Sequence, residues 1–233
     1  MKRRRGGHSG HRMRGEKSPR RPSPQRSEKT RILIVCEGRE TEPNYLHGLR
    51  DEEAVRQYFI VEVRKGKGGS CLDVIQQAIA EREKAAARRK DFDEVWCVFD
   101  VEQASRREQV IDARTLAGQH EIQLALSNPS FECWLLAHFT RTKKSFAGAD
   151  KVIEELNKYW RREFGQDYEK SDEQIYARLS ARTQTALDNA RKVRKQDWSS
   201  SSDIIDCNSA TEVYLLVERL LRSSTGDKTV ALP

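Results

Sequence analysis

The sequence predicts an α/β fold in which a four-stranded parallel sheet is flanked by helices and followed by a helical C-terminal part. Short apolar runs alternate with amphipathic stretches in the order β-α-β-α-β-α-β-α. This alternation is typical of parallel strands joined by right-handed crossovers. After Arg141 the apolar residues recur only at helical spacing, which predicts that no further strand follows.

The first predicted strand, residues 32–36, is apolar at every position and rich in β-branched residues. A run of this kind indicates a strand that is buried on both faces, as in a parallel sheet. Gly38 and Pro43 bound it on its C-terminal side. The other three strands are predicted at residues 58–64, 94–99 and 121–126.

Helices are predicted after each strand. Thr41-Glu42-Pro43 has the composition of a cap followed by proline in the first turn, so it predicts a helix over 41–56. Further helices are predicted at 71–90 and 106–117, and another after a capping segment at 127–130. In the C-terminal part, apolar residues at helical spacing predict helices around 152–156, 175–191 and 213–220, with a polar loop at 196–208.

The charge is divided unevenly along the chain. Residues 1–30 contain 11 Lys and Arg and two Glu, a net of +9, so the remaining 203 residues carry 7 − 9 = −2. We predict a disordered basic tail at 1–30, an α/β core at 31–140, a helical extension packed on it at 141–225 and a flexible tail at 226–233. The basic tail is interpreted either as an arm that binds nucleic acid, through Arg3, Arg4 and Arg5, or as a solubilising extension.

Composition also argues against several classes of protein. No apolar run reaches the roughly 18–20 residues needed to span a bilayer, and no apolar segment follows the basic N-terminus, so neither a membrane span nor a secretory signal is predicted. The five cysteines are odd in number and lack metal-ligand spacing. They are predicted to be buried free thiols in a reducing compartment, which indicates a cytoplasmic protein.

A loop rich in glycine and lysine, residues 65–70, precedes the helix predicted at 71–90. Lys65 and Lys67 at a helix N-terminus could hold a phosphate group of nucleic acid. The loop lacks the Gly-Lys-Ser/Thr ending of a P-loop. A mobile crossover loop without a binding role is the alternative interpretation.

Carboxylates follow two of the predicted strands. Glu37 comes directly after the first strand, and Asp100 and Glu102 follow the third. In extended backbone, residues two apart point the same way, so Asp100 and Glu102 should share a face. Three carboxylates at one sheet edge would repel one another without a cation, and all-oxygen ligation suits Mg²⁺ or Mn²⁺. A phosphodiester would be the natural substrate of such a site; the alternative is that residues 100–102 form an ordinary turn.

Three segments resemble a known family. They are Ile-Val-Cys-Glu-Gly-Arg-Glu-Thr-Glu-Pro-Asn-Tyr, Val-Trp-Cys-Val-Phe-Asp-Val-Glu and Ser-Asn-Pro-Ser-Phe-Glu-Cys-Trp-Leu-Leu-Ala-His-Phe. A glutamate after the first strand and an acidic pair after the third look like the Toprim domain of topoisomerases, primases and OLD-type nucleases. The three segments together resemble the RloB-like family over roughly residues 31–225. That family is associated with restriction–modification and abortive-infection loci in prokaryotes.

The resemblance implies site residues. Glu37 matches the Toprim glutamate, which acts in acid–base work or binds metal, and Asp100 and Glu102 match the acidic pair, with Glu where the family pattern usually has Asp. The implied metal ligands are Glu37, Asp100 and Glu102, and Glu132 joins them in the implied catalytic set.

Other matched positions have simpler interpretations as well. Glu40 and Glu42 match acidic positions beside the first motif, and Glu42 could serve only the helix dipole. Asn128 matches the third motif, where it could be an N-cap, and Glu132 could be a first-turn helix acid. His138 falls near the apolar stripe, which favours a core histidine over a catalyst.

The resemblance implies a nuclease of an anti-phage system that depends on Mg²⁺ or Mn²⁺ and cleaves DNA or RNA. The sequence leaves the choice between DNA, tRNA and other RNA open. The alternative hypothesis is a non-catalytic, Toprim-like regulatory or sensor subunit that works with a partner ATPase from the same locus. The substitution of Glu102 for Asp and the lack of an obvious Lys or His base leave room for it.

Overall fold

The structure, a computed structural model, describes residues 29–102, 106–197 and 203–222. The proposed phosphate contacts Arg3, Arg4 and Arg5 and the predicted tail at 226–233 lie outside these ranges, as does part of the predicted loop at 196–208.

Four parallel strands form one sheet, as the sequence predicts. They are β1 (Thr30–Cys36), β2 (Phe59–Arg64), β3 (Glu94–Asp100) and β4 (Gln123–Ser127). Their order across the sheet is β2-β1-β3-β4, with β1 pairing to both β2 and β3. The chain therefore leaves β1 towards one edge and returns to the other side of it at β3. In sheets of this type, ligands bind outside the carboxyl ends of the strands, where the order reverses.

Helices connect the strands and make up most of the C-terminal part. They are α1 (Thr41–Asp51), α2 (Glu53–Arg56), α3 (Cys71–Ala86), α4 (Arg107–Gln119), α5 (Glu132–Ala137), α6 (Ala149–Phe164), α7 (Ile175–Leu179), α8 (Thr183–Lys192) and α9 (Val213–Arg222). Three helices differ from the prediction: the helix expected over 41–56 is divided at Glu52, whose backbone is extended (ψ 137°), α3 ends at Ala86, and a 3₁₀ turn at Ser180–Arg182 divides the helix expected over 175–191. A 3₁₀ turn, Ile204–Asp206, lies within the region predicted as a loop.

Both faces of the sheet are covered, which explains why β1 is apolar throughout. Ile32 and Ile34 point to one side, where the core includes residues of α1, α5, α6, α8 and α9. Leu33 and Val35 point to the other side and pack with residues of α3 and α4. Successive side chains of a strand alternate between faces, so an all-apolar run is the pattern that two covered faces require.

Two predicted helix caps are wrong. Glu40, rather than Thr41, is the N-cap residue of α1, and the Thr41 hydroxyl lies 2.8 Å from the Tyr168 hydroxyl. Phe131 is the N-cap residue of α5. The Asn128 side chain instead donates hydrogen bonds to the Ile204 and Ile205 carbonyls, at 2.9 and 2.8 Å. Both polar side chains therefore join the α/β part to the C-terminal part of the chain.

The five cysteines are free and buried, as predicted. Within the described ranges, none of the helices combines the length and the apolar character that crossing a membrane requires.

Candidate functional site

Glu37 lies at the reversal point of the sheet, directly after β1. Its backbone N–H donates to the Val98 carbonyl at 2.8 Å, which continues the pairing of β1 with β3. Its Oε2 accepts a hydrogen bond from the Asp100 backbone N–H at 3.1 Å. Its Oε1 accepts one from Arg106 Nη2 at 2.7 Å. Glu37 is thus fixed across the carboxyl ends of the two central strands.

Arg106 joins Glu37 to the second acidic position. Its Nη1 lies 3.0 Å from Glu102 Oε2, and its side chain is only 14% exposed. The strand ends at Asp100 and Glu102 has a left-handed backbone (φ 57°), so the extended geometry that would place Asp100 and Glu102 on one face is absent. The predicted extended backbone through Glu102 is therefore wrong. The Glu102 side chain is 55% exposed and stands at the rim of the site.

Asp100 has four acidic neighbours in the site. Burial, followed by the charges of Glu42, Glu132, Glu37 and Glu102 in that order, raises the pKa of Asp100 well above its ordinary value. Burial disfavours the ionised carboxyl group, and like charges disfavour it further. The strongest electrostatic neighbours of Asp100 are therefore Glu42 and Glu132, ahead of the two residues expected to share a metal with it.

Glu42 is buried on the first turn of α1. Its Oε1 accepts a hydrogen bond from the Gly38 backbone N–H at 3.1 Å. A Cβ atom at Gly38 would lie 2.2 Å from Glu42 Oε2, so the glycine makes room for the carboxyl group. Burial, together with the charges of Glu132 and Glu37, raises the pKa of Glu42 to about 7.

Glu132 is almost fully buried on the first turn of α5, and its carboxyl group is well supplied with donors. Ser130 Oγ donates to its Oε2 at 2.6 Å, and the Tyr168 hydroxyl donates to its Oε1 at 3.2 Å. Lys170 Nζ lies 3.5 Å from the same Oε1. Burial raises the pKa of the Tyr168 hydroxyl, so that it stays protonated and remains a donor.

The glycine- and lysine-rich loop lies beside Glu37. Gly66 is buried, its N–H donates to the Gly38 carbonyl at 3.2 Å, and a Cβ atom there would lie 1.8 Å from the Glu37 carbonyl oxygen. Arg39 Nη2 donates to the Lys67 carbonyl at 2.7 Å. Lys65 and Lys67 themselves are exposed. The loop thus brings two exposed lysines to the margin of the acidic site.

Three matched positions stand apart from the acidic cluster. His138 is buried in the core, with Nδ1 3.0 Å from the Trp134 carbonyl and a pKa lowered to about 4 by burial. Asn128 is engaged with the backbone of the 3₁₀ turn. Glu40 is exposed beside α1.

The carboxylates of the site are the chemical type of ligand that a hard divalent cation prefers, but they are not arranged as a metal site. Carboxylate oxygens are the ligands that Mg²⁺ and Mn²⁺ prefer. Across residues 29–102, 106–197 and 203–222, no group of three or more His, Cys, Asp or Glu side chains is placed so that it could hold a metal ion. Glu37 is bonded to Arg106 instead, so holding a cation would require these side chains to reorient.

Sequence reasoning missed the two cationic partners of the cluster and its tyrosine. Arg106 is 69 residues from Glu37, and Tyr168 is 36 residues from Glu132. The one available signal was an arginine four residues after the acidic Glu102, at the start of a predicted helix. Lys170 and Tyr168 lie in a polar stretch with no periodicity that would have singled them out.

The topology and the carboxylates at its reversal point define an α/β protein with an acidic site at the strand ends. The family model described as "RloB-like protein" matches residues 32–220, so the chain belongs to the RloB-like family. Neither the curated proteins nor the solved structures contain a significant match to it.

Proposed function

We propose that this protein is a phosphodiesterase of nucleic acid that requires Mg²⁺ or Mn²⁺ and acts in phage defence at a restriction or abortive-infection locus. Membership of the RloB-like family supports a role at such a locus. The observation that carries the chemistry is the convergence of Glu37, Glu42, Asp100 and Glu132 at the reversal point of the sheet, where burial first, and repulsion by the neighbouring carboxylates second, raise the pKa values of Glu42 and Asp100.

Such a cluster has a physical need for a cation. The pKa values of Glu42 and Asp100 are raised first by burial and then by neighbouring carboxylates, so a cation would favour the ionised forms of both groups. Glu37, Asp100 and Glu102 are the residues we expect to hold a divalent cation after Arg106 has moved away. Bound there, the cation would polarise the phosphoryl oxygen and lower the pKa of a water molecule that attacks the phosphorus.

The chain's own groups have distinct tasks in this proposal. Glu37 is held by the Asp100 backbone N–H, which fixes one of its oxygens. Glu42, with a pKa of about 7, can gain or release a proton near neutral pH, as a general acid or base must. Glu132 is held by Ser130 and Tyr168, which fix the orientation of its carboxyl group.

The nucleic acid would reach the site over the exposed lysines. Lys65 and Lys67 stand at the margin of the acidic cluster, on a loop fixed to Glu37 through Gly66. Lysines in this position bind phosphates on either side of the cleaved bond without reading the base. The basic residues of the N-terminal segment, Arg3, Arg4 and Arg5 among them, would add contacts to phosphate that weaken with salt.

The test is cleavage of labelled DNA and tRNA in the presence of Mg²⁺ or Mn²⁺. We expect wild-type protein to cleave at least one substrate, and Glu37→Gln and Asp100→Asn to lose activity by about two to four orders of magnitude, the range for groups that position or activate reactants. Glu83→Gln, at an exposed glutamate on α3, is the matched control and should keep full activity. Equal cleavage by Glu37→Gln and wild type would refute the assignment.

Arg106 favours a second candidate, a non-catalytic regulatory subunit that works with an ATPase. The guanidinium group of Arg106 already neutralises the charges of Glu37 and Glu102. An ion pair of this kind is also what a site with a purely structural role would contain. The discriminating experiment adds the ATPase encoded at the same locus, with ATP, to the cleavage assay. Cleavage that appears only then identifies an activated nuclease, and its absence with every substrate favours the regulatory subunit.

A further inference from the structure

The turn that follows α3 carries three consecutive cationic residues, Arg88, Arg89 and Lys90. All three are exposed, and none of them forms an ion pair with another residue that the structure describes. A favourable interaction with the helix dipole explains cations within the last turn of a helix, where Lys84 lies, and it falls off beyond that turn. The charges of the three residues are therefore available to a partner in solution.

Arg89 has a backbone conformation that favours glycine. Its φ is 56°, and the Lys90 N–H donates to the Ala85 carbonyl at 3.0 Å, which is the hydrogen bond of a Schellman motif with Arg89 at the left-handed position. Glycine is usual at this position because a Cβ atom makes the conformation costly. The chain thus has an arginine where its fold favours glycine, and a residue that breaks a local rule is expected where it has a function.

The cationic turn is tied to the start of β1. The Arg31 N–H donates to Asp93 Oδ2 at 2.7 Å, and Arg31 Nε donates to the Asp91 carbonyl at 3.1 Å. Lys29, two residues before Arg31, is the first residue that the structure describes. The residues before it, 1–28, hold ten Lys and Arg and two Glu. The basic N-terminal segment therefore joins the fold beside the cationic turn.

This surface lies at the opposite edge of the sheet from the acidic site. Because the strands are parallel, all of them start at one edge and end at the other. Lys29 precedes β1 and Glu37 follows it, and a strand of seven residues is about 23 Å long. Residues 29–31 and 88–93 together contain five cations and two aspartates. A polyanion bound at this edge is thus kept away from the carboxylates that would repel it.

We propose that Arg88, Arg89 and Lys90, together with Lys29 and the basic segment before it, form a surface that binds the phosphate backbone of nucleic acid. This inference goes beyond the proposed function, because binding at this edge involves none of the carboxylates of the acidic site. In a nuclease, the surface would hold one part of a long substrate and so raise the effective concentration of another part at the acidic site.

The surroundings of the turn favour nucleic acid over an acidic protein as the partner. A stable protein interface needs an apolar centre from which water is excluded. Among the described residues, the large apolar side chains that are exposed are Tyr58, Ile60 and Ile111, and none of them belongs to the turn. Contacts to phosphate require charge alone, and arginine binds phosphate in bidentate geometry.

The test measures the binding of labelled single-stranded DNA and RNA of about 30 nucleotides by fluorescence anisotropy. It uses the full chain in the presence of a metal chelator, so that cleavage does not enter the result. Arg89→Gly should raise the melting temperature by about 1–4 °C, because it relieves the left-handed backbone, and yet weaken binding about threefold at low salt. A variant that is more stable but binds less well cannot owe its weaker binding to misfolding.

Glu121→Gly is the matched control. Glu121 has φ 53° and follows α4, and the Ile122 N–H donates to the Ala117 carbonyl at 2.9 Å, so the same motif ends both helices. The substitution should raise the melting temperature by a similar amount. It removes a negative charge rather than a positive one, so binding of the oligonucleotides should not weaken.

The triple variant Arg88→Gln, Arg89→Gly and Lys90→Gln measures the whole turn. We expect it to bind about tenfold less tightly at low salt. The slope of log affinity against log salt concentration should fall by about 2, because each phosphate contact to a single strand contributes about 0.7. This change in slope identifies lost phosphate contacts.

Four outcomes would overturn the proposal. The turn has no part in binding if the triple variant binds as wild type does, whatever deletion of residues 1–28 does. Equal weakening by Glu121→Gly would indicate a general effect on this edge of the sheet. Competition by poly-L-glutamate that matches an oligonucleotide of equal charge would indicate a site for acidic protein. Wild type that binds neither oligonucleotide would exclude the surface altogether. None of these results depends on cleavage, so they are distinct from a failure of the proposed nuclease.

Discussion

Replacing Glu42 by glutamine should stabilise the metal-free protein, although it alters a residue of the candidate site. Glu42 is buried, and its pKa is raised from 4.5 to about 7. In the unfolded chain the carboxyl group releases its proton near its ordinary pKa, whereas the folded protein retains it up to about pH 7. The native state therefore binds more protons across this window, and its free energy of unfolding falls as the pH rises through it.

The magnitude follows from the same two values. At about 1.4 kcal/mol per pH unit, a rise from 4.5 to about 7 costs about 3 kcal/mol once the pH exceeds 7. Glutamine keeps an oxygen that can accept from the Gly38 N–H but adds an amide N–H₂ group that needs a partner, so we expect a gain of about 1–3 kcal/mol at pH 8. For a chain of this size that gain corresponds to a rise in melting temperature of about 2–10 °C.

The assay is urea unfolding of wild type and Glu42→Gln at pH 5 and pH 8, in the presence of a metal chelator. The two proteins should have nearly equal free energies of unfolding at pH 5, where both side chains are largely uncharged, and should diverge at pH 8. Glu83→Gln, at an exposed position, should show no such divergence. A Glu42→Gln variant that is less stable than wild type at pH 8 would show that the ionised carboxyl group is stabilising, and it would refute the electrostatic description of the cluster.

Two further predictions concern the loop beside Glu37 and the basic segment. Gly66→Ala should lower the melting temperature by more than 5 °C, corresponding to a few kcal/mol, because its Cβ would collide with the Glu37 carbonyl oxygen; Gly118→Ala, where no atom lies within 4 Å, should be neutral or slightly stabilising. Equal melting temperatures for the two variants would contradict the close approach. Deleting residues 1–28, which hold ten Lys and Arg and two Glu, should weaken oligonucleotide binding at low salt and flatten its salt dependence. Unchanged affinity at low ionic strength would show that this segment has no part in binding.

The fold was predictable because it follows from local patterns. β1 is apolar at every position since both faces of the sheet are covered, and the alternation of strands and helices allows few topologies other than a parallel sheet. The position of Glu37 followed as well, because a residue after a central strand must lie at the carboxyl edge. Helix ends were less predictable, since Thr41 and Asn128 have the composition of caps but bond to distant parts of the chain.

The electrostatics of the site could not be predicted from the same patterns. Local spacing identified Glu37 and Asp100, but the depth of Glu42 and its repulsion of Asp100 depend on how α1 packs under the sheet edge. The left-handed backbone of Glu102 could not be predicted either, because none of the neighbouring residues in the sequence requires it. Gly66 was assigned to a flexible loop, whereas it is the point where that loop touches the Glu37 backbone.

The candidate site depends on both parts of the chain. Glu132 belongs to the α/β part, but its carboxyl group is held by the Tyr168 hydroxyl and approached by the Lys170 ammonium group, which lie between α6 and α7. The Tyr168 hydroxyl also bonds to Thr41 at the start of α1, one residue before Glu42. A displacement of this segment would therefore change the charge around Glu42 and Asp100 without altering any residue of the sheet.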